Sequence, residues 1–555
     1  MKRIDRKILL AFVILVFFFV LLIKLIFIQI FLHTKINATV KKMISSEAIE
    51  IAKRGDILDS KGNILASSIK KYNMFLDPKI IKDFYKLKNV LSKNGIKIKE
   101  KNLSEFGKTS YVQIAFNVDP KSVDKIKNEK LKGVGFESKY TRQYPEGKLL
   151  AHILGIVGYN GSGLAGIEKS YNKALSGSNV VTKNRRDGCG RIIRDKFVDK
   201  TKISGQNIKL SIDRTIQFIA EQELRKTFDK YKAKKAICIV QEPKTGNILA
   251  MVSLPDFDSS IKIKDIGILK NSAISDIYEP GSTFKIVTVS AALEEKIIKP
   301  SDVFYLENGK YKIANHTIKD NHRIGGCVSL SKAVEQSSNI AMVKIAQRLG
   351  KENFYKYIRK FGFYSLTGID LPGEAKGLLK DIEKWDILSL PTISFGQGIG
   401  VTAIQMINVF SAIANNGILL KPSVQYDAKM LENTCKHKEI RRLISVETAQ
   451  TVKKLLKNAV DFGTGKSAKI SGYTVGGKTG TAQKFDSTAK TYSPKYYTAS
   501  FCGMIPAMNP EIVILVIIDE PKGANYYASS VASPVFANIA KKTVHYLNIK
   551  KDDKN

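Results

Sequence analysis

From Ile8 to Ile23 the chain carries no charged or polar side chain. Lys24 can snorkel from near the far end, and Leu25–Ile28 extends the run to about the 20 residues that a bilayer core requires. Lys2, Arg3, Arg6 and Lys7 precede it, so the excess of positive charge places residues 1–7 in the cytoplasm. Residues 8–32 then read as one transmembrane anchor, with the rest of the chain outside. No A-x-A-like cleavage site follows closely, so the pattern is a retained anchor rather than a removed signal peptide.

At 555 residues the chain is too long for one ordinary domain, and 44% hydrophobic residues suffice for packed cores. Lys and Arg number 90 against 51 Asp and Glu, a formal charge of +39. The lysines are scattered and accompany no nucleic-acid module, so they read as solvated surface, and nucleic acid is not an expected partner. Cys189, Cys238, Cys327, Cys435 and Cys502 are odd in number and widely spaced, which gives neither a disulfide framework nor metal-ligand spacing. Cys238 and Cys502 lie in apolar strand-like runs and read as small core residues.

Residues 51–68 alternate about the turn Asp59-Ser60-Lys61-Gly62-Asn63, a hairpin signal. Residues 70–140 are lysine-rich and of mixed pattern. The glycines of 142–177 do not form a phosphate-binding GxxxxGK[ST] loop. A second unit begins near 205–235. Residues 236–255 predict two strands about a Pro-Lys-Thr-Gly-Asn turn, and helical patterns dominate from Lys285 to about Phe363, over 401–415 and over 446–460. Strands return at 473–483, 496–505 and 511–521. The last two are joined by too short a link for a helical crossover and so must be antiparallel. Residues 535–549 predict a closing helix. The sum is an α+β fold with a mostly antiparallel sheet flanked by helices.

Ser282 and Lys285 form an S-x-x-K pair in YEPGSTFKIV. The pattern alone is weak, because it also begins at Ser67, Ser68, Ser122, Ser170, Ser259, Ser329 and Ser487. Only Ser282 follows Pro-Gly and opens a helix-forming run, whose first turn places Ser282 and Lys285 on one face. A serine hydroxyl needs a base to become a nucleophile, and a lysine serves if burial or a neighbouring positive charge keeps it neutral. Ser337-Ser338-Asn339 and Lys478-Thr479-Gly480-Thr481 follow in order. The second K-T-G, at Lys244-Thr245-Gly246, lies in a predicted hairpin turn and reads as structural. His152 and His316 have no acid or ligand spacing beside them, and Trp385 reads as packing.

S-x-x-K, an S-x-N element and K-T-G together are the signature of penicillin-binding proteins and class A β-lactamases, with Ser338 where the usual form has Asp. The chain resembles a class B penicillin-binding protein, a monofunctional peptidoglycan D,D-transpeptidase, over nearly its whole length. YEPGSTFK, QSSNIAM and GGKTGTAQ carry the three motifs. RGDILDSKGNILA, RQYPEGKLLAHILGIVG and GLAGIEKSYN resemble segments of its membrane-proximal domain, and SFGQGIGVTAIQM a segment between motifs two and three. RRDGCGRII departs from the family around Cys189.

The resemblance implies a β-rich pedestal over 45–220 and a transpeptidase domain over 221–549. Ser282 would be acylated by the D-Ala-D-Ala donor, with Lys285 as base. Ser337 would relay a proton, and Asn339 would orient Lys285 and bind the substrate amide. Lys478 would supply charge, Thr479, Gly480 and Thr481 would bind the terminal carboxylate, and the N–H groups of Ser282 and Thr481 would form the oxyanion hole. No cofactor or metal is implied. The implied partners are stem peptides as donor and amine acceptor, β-lactam antibiotics, a polytopic membrane glycosyltransferase and other division proteins. EPKGANYYASSVASPVFANIA and the C-terminal helix near the chain end resemble the division-specific septal subgroup, with the elongation-specific subgroup as runner-up. A β-lactamase, a β-lactam sensor, a D,D-carboxypeptidase and a catalytically silent division scaffold are the rivals. The long pedestal and the intact motifs count against the β-lactamase and the scaffold.

Overall fold

The computed structural model describes residues 5–81, 83–96, 111–186, 192–194, 203–261, 263–321, 325–426, 439–486, 491–523 and 525–553. Cys189, the RRDGCGRII departure around it, and Cys435 lie outside the fully described residues. Contacts divide the chain into two compact units. One is drawn from residues 1–54, 70–140 and 176–205, the other from 55–69, 141–175 and 206–555. Segments of the expected 45–220 domain occur in both.

The first unit contains helix α1 (Arg6–Ile26), capped by the Asp5 carboxylate and continued by a wider π turn over Phe27–Phe31. Its apolar span Arg6–Phe31 is the one helix among the described residues long and apolar enough to cross a membrane. Further along, the strand Val112–Val118 pairs antiparallel with residues 72–76, and helices Phe84–Lys93 and Pro120–Asn128 cover it. Met74, Leu87, Leu91, Ile114, Val123 and Ile126 form the core of this unit.

The second unit is built on a five-stranded antiparallel sheet. Its strands are β1 (Lys235–Gln241), β2 (Ile248–Leu254), β5 (Gly476–Asp486), β6 (Thr491–Ile505) and β7 (Ile512–Asp519), in spatial order β2-β1-β7-β6-β5. The central strands are apolar almost without interruption because helices cover both faces. On one face α2 (Arg214–Lys230) and α7 (Ser533–Tyr546) pack Ile216, Leu224, Phe536 and Ile539 against Cys238, Val516 and Phe501. On the other, α5 (Ala403–Ala414) packs Ile404, Ile407 and Phe410 with Ile237, Ile239 and Leu515. Asp213 caps α2, and Thr402 and Gln405 form a reciprocal capping box on α5.

The helical reading of Lys285–Phe363 needs a correction. Four short strands interrupt it: Val303–Tyr305, β3 (Lys310–Ile313), β4 (His316–Lys319) and Cys327–Ser329. β3 and β4 form a hairpin whose two-residue turn is Ala314-Asn315, with Ala314 at φ +48°. The turn lacks glycine and the strands are mostly exposed, so neither turn chemistry nor apolar alternation announces them. The helix α3 (Lys285–Glu294) precedes these strands and α4 (Asn339–Leu349) follows them; α6 (Val446–Asp461) leads towards β5.

The expected 59–63 turn is present, with Asp59 accepting from the backbone N–H of Lys61 and Asn63. Nearby, Arg142 Nε donates to Glu168 Oε1 at 2.6 Å, and Arg142 Nη1 donates to Gly55 O and Ser68 Oγ. Both ions are buried, so removing one strands the other. Arg142→Met or Glu168→Leu alone should cost about 3–5 kcal/mol of stability in denaturant titration, and the double replacement less than the sum of the two.

Candidate active site

Ser282 lies in a 3-10 turn, Gly281–Phe284, that runs into α3 at Lys285. Side chains three apart eclipse in such a turn, which aligns Ser282 with Lys285. Two glycines let this turn press on β5. Gly281 sits at φ +53°, where a Cβ would lie 3.2 Å from Ala482 Cβ, and a Cβ at Gly480 would lie 2.8 Å from Pro280 O. Gly281 N–H also donates to Gly396 O. Ser282 faces a cleft of about 390 Å³ that Asn339, Lys319, Gln397 and Thr481 help to line.

Behind Ser282 two lysines meet on one hydroxyl. Lys285 Nζ donates to Ser337 O at 2.5 Å and Ser337 Oγ at 3.1 Å, and Lys478 Nζ donates to Ser337 Oγ at 2.9 Å. Lys285 is 2% exposed and Lys478 1%. Burial pushes Lys285 well below the ordinary lysine range, the Lys478 charge pushes it further, and Asp320 opposes both. Burial alone brings Lys478 down to about 7. Near neutral pH the pair therefore does not hold two full positive charges, which leaves a neutral amine beside the serine turn. Ser337 reaches both lysines from a left-handed conformation, φ +58°, in the turn between the helix Leu330–Glu335 and α4. A strained residue whose hydroxyl is held by two buried amines is characteristic of a functional site.

The second motif is held from outside by a residue that the sequence reading did not single out. Asp320, just past β4, accepts from Asn339 N–H at 2.5 Å and Ile340 N–H at 3.1 Å, and from Ser338 Oγ at 2.8 Å. It thus caps α4 together with Ser338, which accepts from Ala341 N–H. Its only sequence signal is an isolated acid at the end of a lysine-rich stretch.

Two of the expected site residues have partners that the motifs do not announce. The Asn339 amide donates to Lys319 O, and Lys285 donates to Ser337. Asn339 still lines the cleft. Thr479, two residues before Thr481 and so on the same face of the edge strand, is 8% exposed and shares a hydrogen bond with Thr464 at 2.9 Å rather than lining the cleft. Thr481 does line the cleft, its hydroxyl accepting from Ala528 N–H at 3.1 Å. At the mouth, Tyr497, Tyr526 and Tyr527 stack with centroids 4.0 and 4.6 Å apart.

The residues read as structural are so placed. Lys244 and Thr245 bond to Glu511 and Glu242 in the β1–β2 turn. His152 Nε2 bonds to Ile268 O, and burial lowers its basicity. Trp385 donates to Lys380 O and packs on Phe354 and Tyr355. Cys238 and Cys502 are buried free thiols, and Cys327 is an exposed one.

Residues 236–541 match the family model of the penicillin-binding protein transpeptidase domain, and residues 49–210 that of the penicillin-binding protein dimerisation domain. The chain is 34% identical to Stage V sporulation protein D of Bacillus subtilis, with 94% of this chain and 83% of that one covered. It is 31% identical to peptidoglycan D,D-transpeptidase FtsI of Buchnera aphidicola, covering 99% and 96%. Penicillin-binding protein 3 of Mycobacterium tuberculosis, solved with ampicillin, superposes with a TM-score of 0.68 at 26% identity, covering 92% of this chain and 98% of that one. The chain belongs to the class B penicillin-binding proteins, of the septal transpeptidase type.

The lysine pair has a measurable consequence. Lys478 ionises at about 7 in the fold against its ordinary 10.5, so between those values the unfolded chain binds more protons. Stability must rise with pH across that window, and Lys285 adds a change of the same sign. Lys478→Met should flatten the slope in denaturation between pH 6 and 10. It should also be more stable than the parent at pH 7 and below, by on the order of 2–4 kcal/mol, while losing penicillin acylation.

Proposed function

We infer that this chain is a membrane-anchored, serine-type peptidoglycan D,D-transpeptidase that cross-links stem peptides during septal wall synthesis and is acylated by β-lactams. The observation that carries the reading is the Ser337 hydroxyl held between two buried lysines directly behind the Ser282 turn. Neutral Lys285 takes the Ser282 proton as the oxygen attacks the carbonyl of the donor's penultimate D-Ala. The N–H groups of Ser282 and Thr481 hold the oxyanion, and loss of one such donor typically costs about 3–4 kcal/mol of barrier. Ser337, bonded to both lysines, passes the proton to the departing D-Ala. An amine from a second stem peptide then attacks the ester, and its proton returns by the same route. Lys478 and Thr481 bind the terminal carboxylate, Gly480 lets the Ser282 turn sit close against the strand that receives the donor, Asn339 binds the donor amide, and Thr479 steadies Lys478 from behind.

The relatives named as peptidoglycan D,D-transpeptidases support the reaction, and those named FtsI support the division role. A relative named for sporulation supports a neighbouring role in wall synthesis. The apolar span and the basic residues before it support a single-pass anchor in the cytoplasmic membrane with its N-terminus inside. In this reading residues 45–220 serve as pedestal and 221–549 as the catalytic domain. A polytopic membrane glycosyltransferase that polymerises the lipid-linked precursor is the partner, together with other division proteins. Hydrolysis, the carboxypeptidase outcome, follows wherever water reaches the ester before the amine.

Labelling membranes with a fluorescent penicillin tests the reading. The wild-type band should be labelled and the Ser282→Ala band not. Absence of label on folded wild-type chain would favour the silent scaffold.

A further inference from the structure

A second cavity, of about 740 Å³, lies in the catalytic unit beside the segment that leads into the serine turn. Its floor is one end of the sheet, where Ala482, Thr498, Asp519 and Lys235 stand opposite one another across β5, β6, β7 and β1. Ile277 to Glu279 and Gly398 to Gly400 border it above, and Ile237, Ile399 and Ile517 give it an apolar lining. The volume is that of a pocket for a small organic ligand.

Its charges select the ligand. Lys234, Lys235, Lys270 and Lys484 line it, against Asp276, Glu279 and Asp519. Lys235 and Lys270 share Asp276, Lys484 pairs with Asp519 and Glu520, and Lys234 pairs with Glu520. Lys235 and Lys270 thus have one carboxylate between them, which leaves an excess of positive charge at their end of the cavity. An added carboxylate meets Lys235 and Lys270, which have a single counter-ion between them. A polyphosphate would set its charge against Asp276 and Asp519, whereas a peptide with both an amine and carboxylates pairs with each sign while its aliphatic parts meet the isoleucines.

The cavity is mechanically joined to the cleft. Ala482 and Gln483 line both. Glu279 Oε1 accepts from Gly398 N–H at 2.9 Å and from the Tyr492 hydroxyl at 3.2 Å, which ties the segment bearing Ser282 to the loop whose Gln397 lines the cleft. We propose that this cavity is a second peptide site, taking a short zwitterionic peptide with free carboxylates such as an uncross-linked stem peptide, and that its occupancy sets the placement of the Ser282 turn. The proposal takes only the source of the peptide from the transpeptidase reading.

The probe is a fluorescein-labelled L-Ala-γ-D-Glu-L-Lys tripeptide, which lacks a D-Ala-D-Ala donor end. Binding is read by anisotropy on full-length chain in detergent whose cleft has been closed with penicillin. Saturable binding should persist, weaken about tenfold in the Lys235→Ala/Lys270→Ala double variant, and be lost in Ile277→Trp, which fills the cavity mouth. The unlabelled tripeptide should change the rate of penicillin acylation of wild-type chain but not of the variants, whose acylation without peptide shows that they are folded. Binding abolished by penicillin, or equal in wild type and variants, would overturn the proposal. If penicillin fails to acylate wild-type chain, the catalytic reading falls, and the same variants on untreated chain still decide the cavity.

Discussion

Everything at the cleft depends on placing two lysine amines on one serine hydroxyl inside a dry core. Each amine costs free energy to bury, and the Lys478 charge makes Lys285 harder still to protonate. The fold meets this by drawing three remote parts of the chain together. The turn before α3 brings Lys285, the turn before α4 brings Ser337, and β5 brings Lys478. No part of the arrangement survives alone: without Lys478 the base is more easily protonated, and without Ser337 neither amine has this common partner. The rigid sheet and its two helical layers supply the precision that such a contact needs.

The supports of this contact are less visible than the contact itself. Asp320 fixes the start of α4 through three donors, and through it the left-handed Ser337. The same carboxylate acts against the lowering of the Lys285 pKa. One side chain thus serves both as a helix cap and as an electrostatic counterweight. The mostly exposed β3–β4 hairpin that leads to it is therefore part of the catalytic apparatus.

Much of this was legible in the sequence because several signals agreed. The continuous apolar runs at 236–255 and 511–521 predicted buried strands, the five-residue link predicted their antiparallel neighbour, and the ordered motifs predicted Ser282, Lys285, Ser337 and Lys478 as one cluster. What was not legible came from tertiary structure. The Asn339 amide could have faced either Lys285 or the hairpin, and only the position of Lys319 decides it. Thr479 and Thr481 share one face of the strand and look equivalent as motif residues, yet Thr464, from a loop outside the strand, takes the hydroxyl of one while the other lines the cleft. Asp320 carries no motif, since capping a distant helix imposes a spatial rather than a sequential spacing.

β5 is the outer strand of the sheet, and the cleft runs along its open side. Half of its peptide groups are thus unclaimed by a neighbouring strand. A molecule laid there is recognised chiefly as main chain, by the spacing of its amides and carbonyls, and only secondarily by what those amides carry. Such a surface is tolerant by construction: it holds a natural peptide and a rigid bicyclic amide for the same reason. The contacts made along the strand itself cannot be deleted, since they belong to the backbone that also builds the sheet. Bending the strand would weaken them for both, at a cost to the substrate as well.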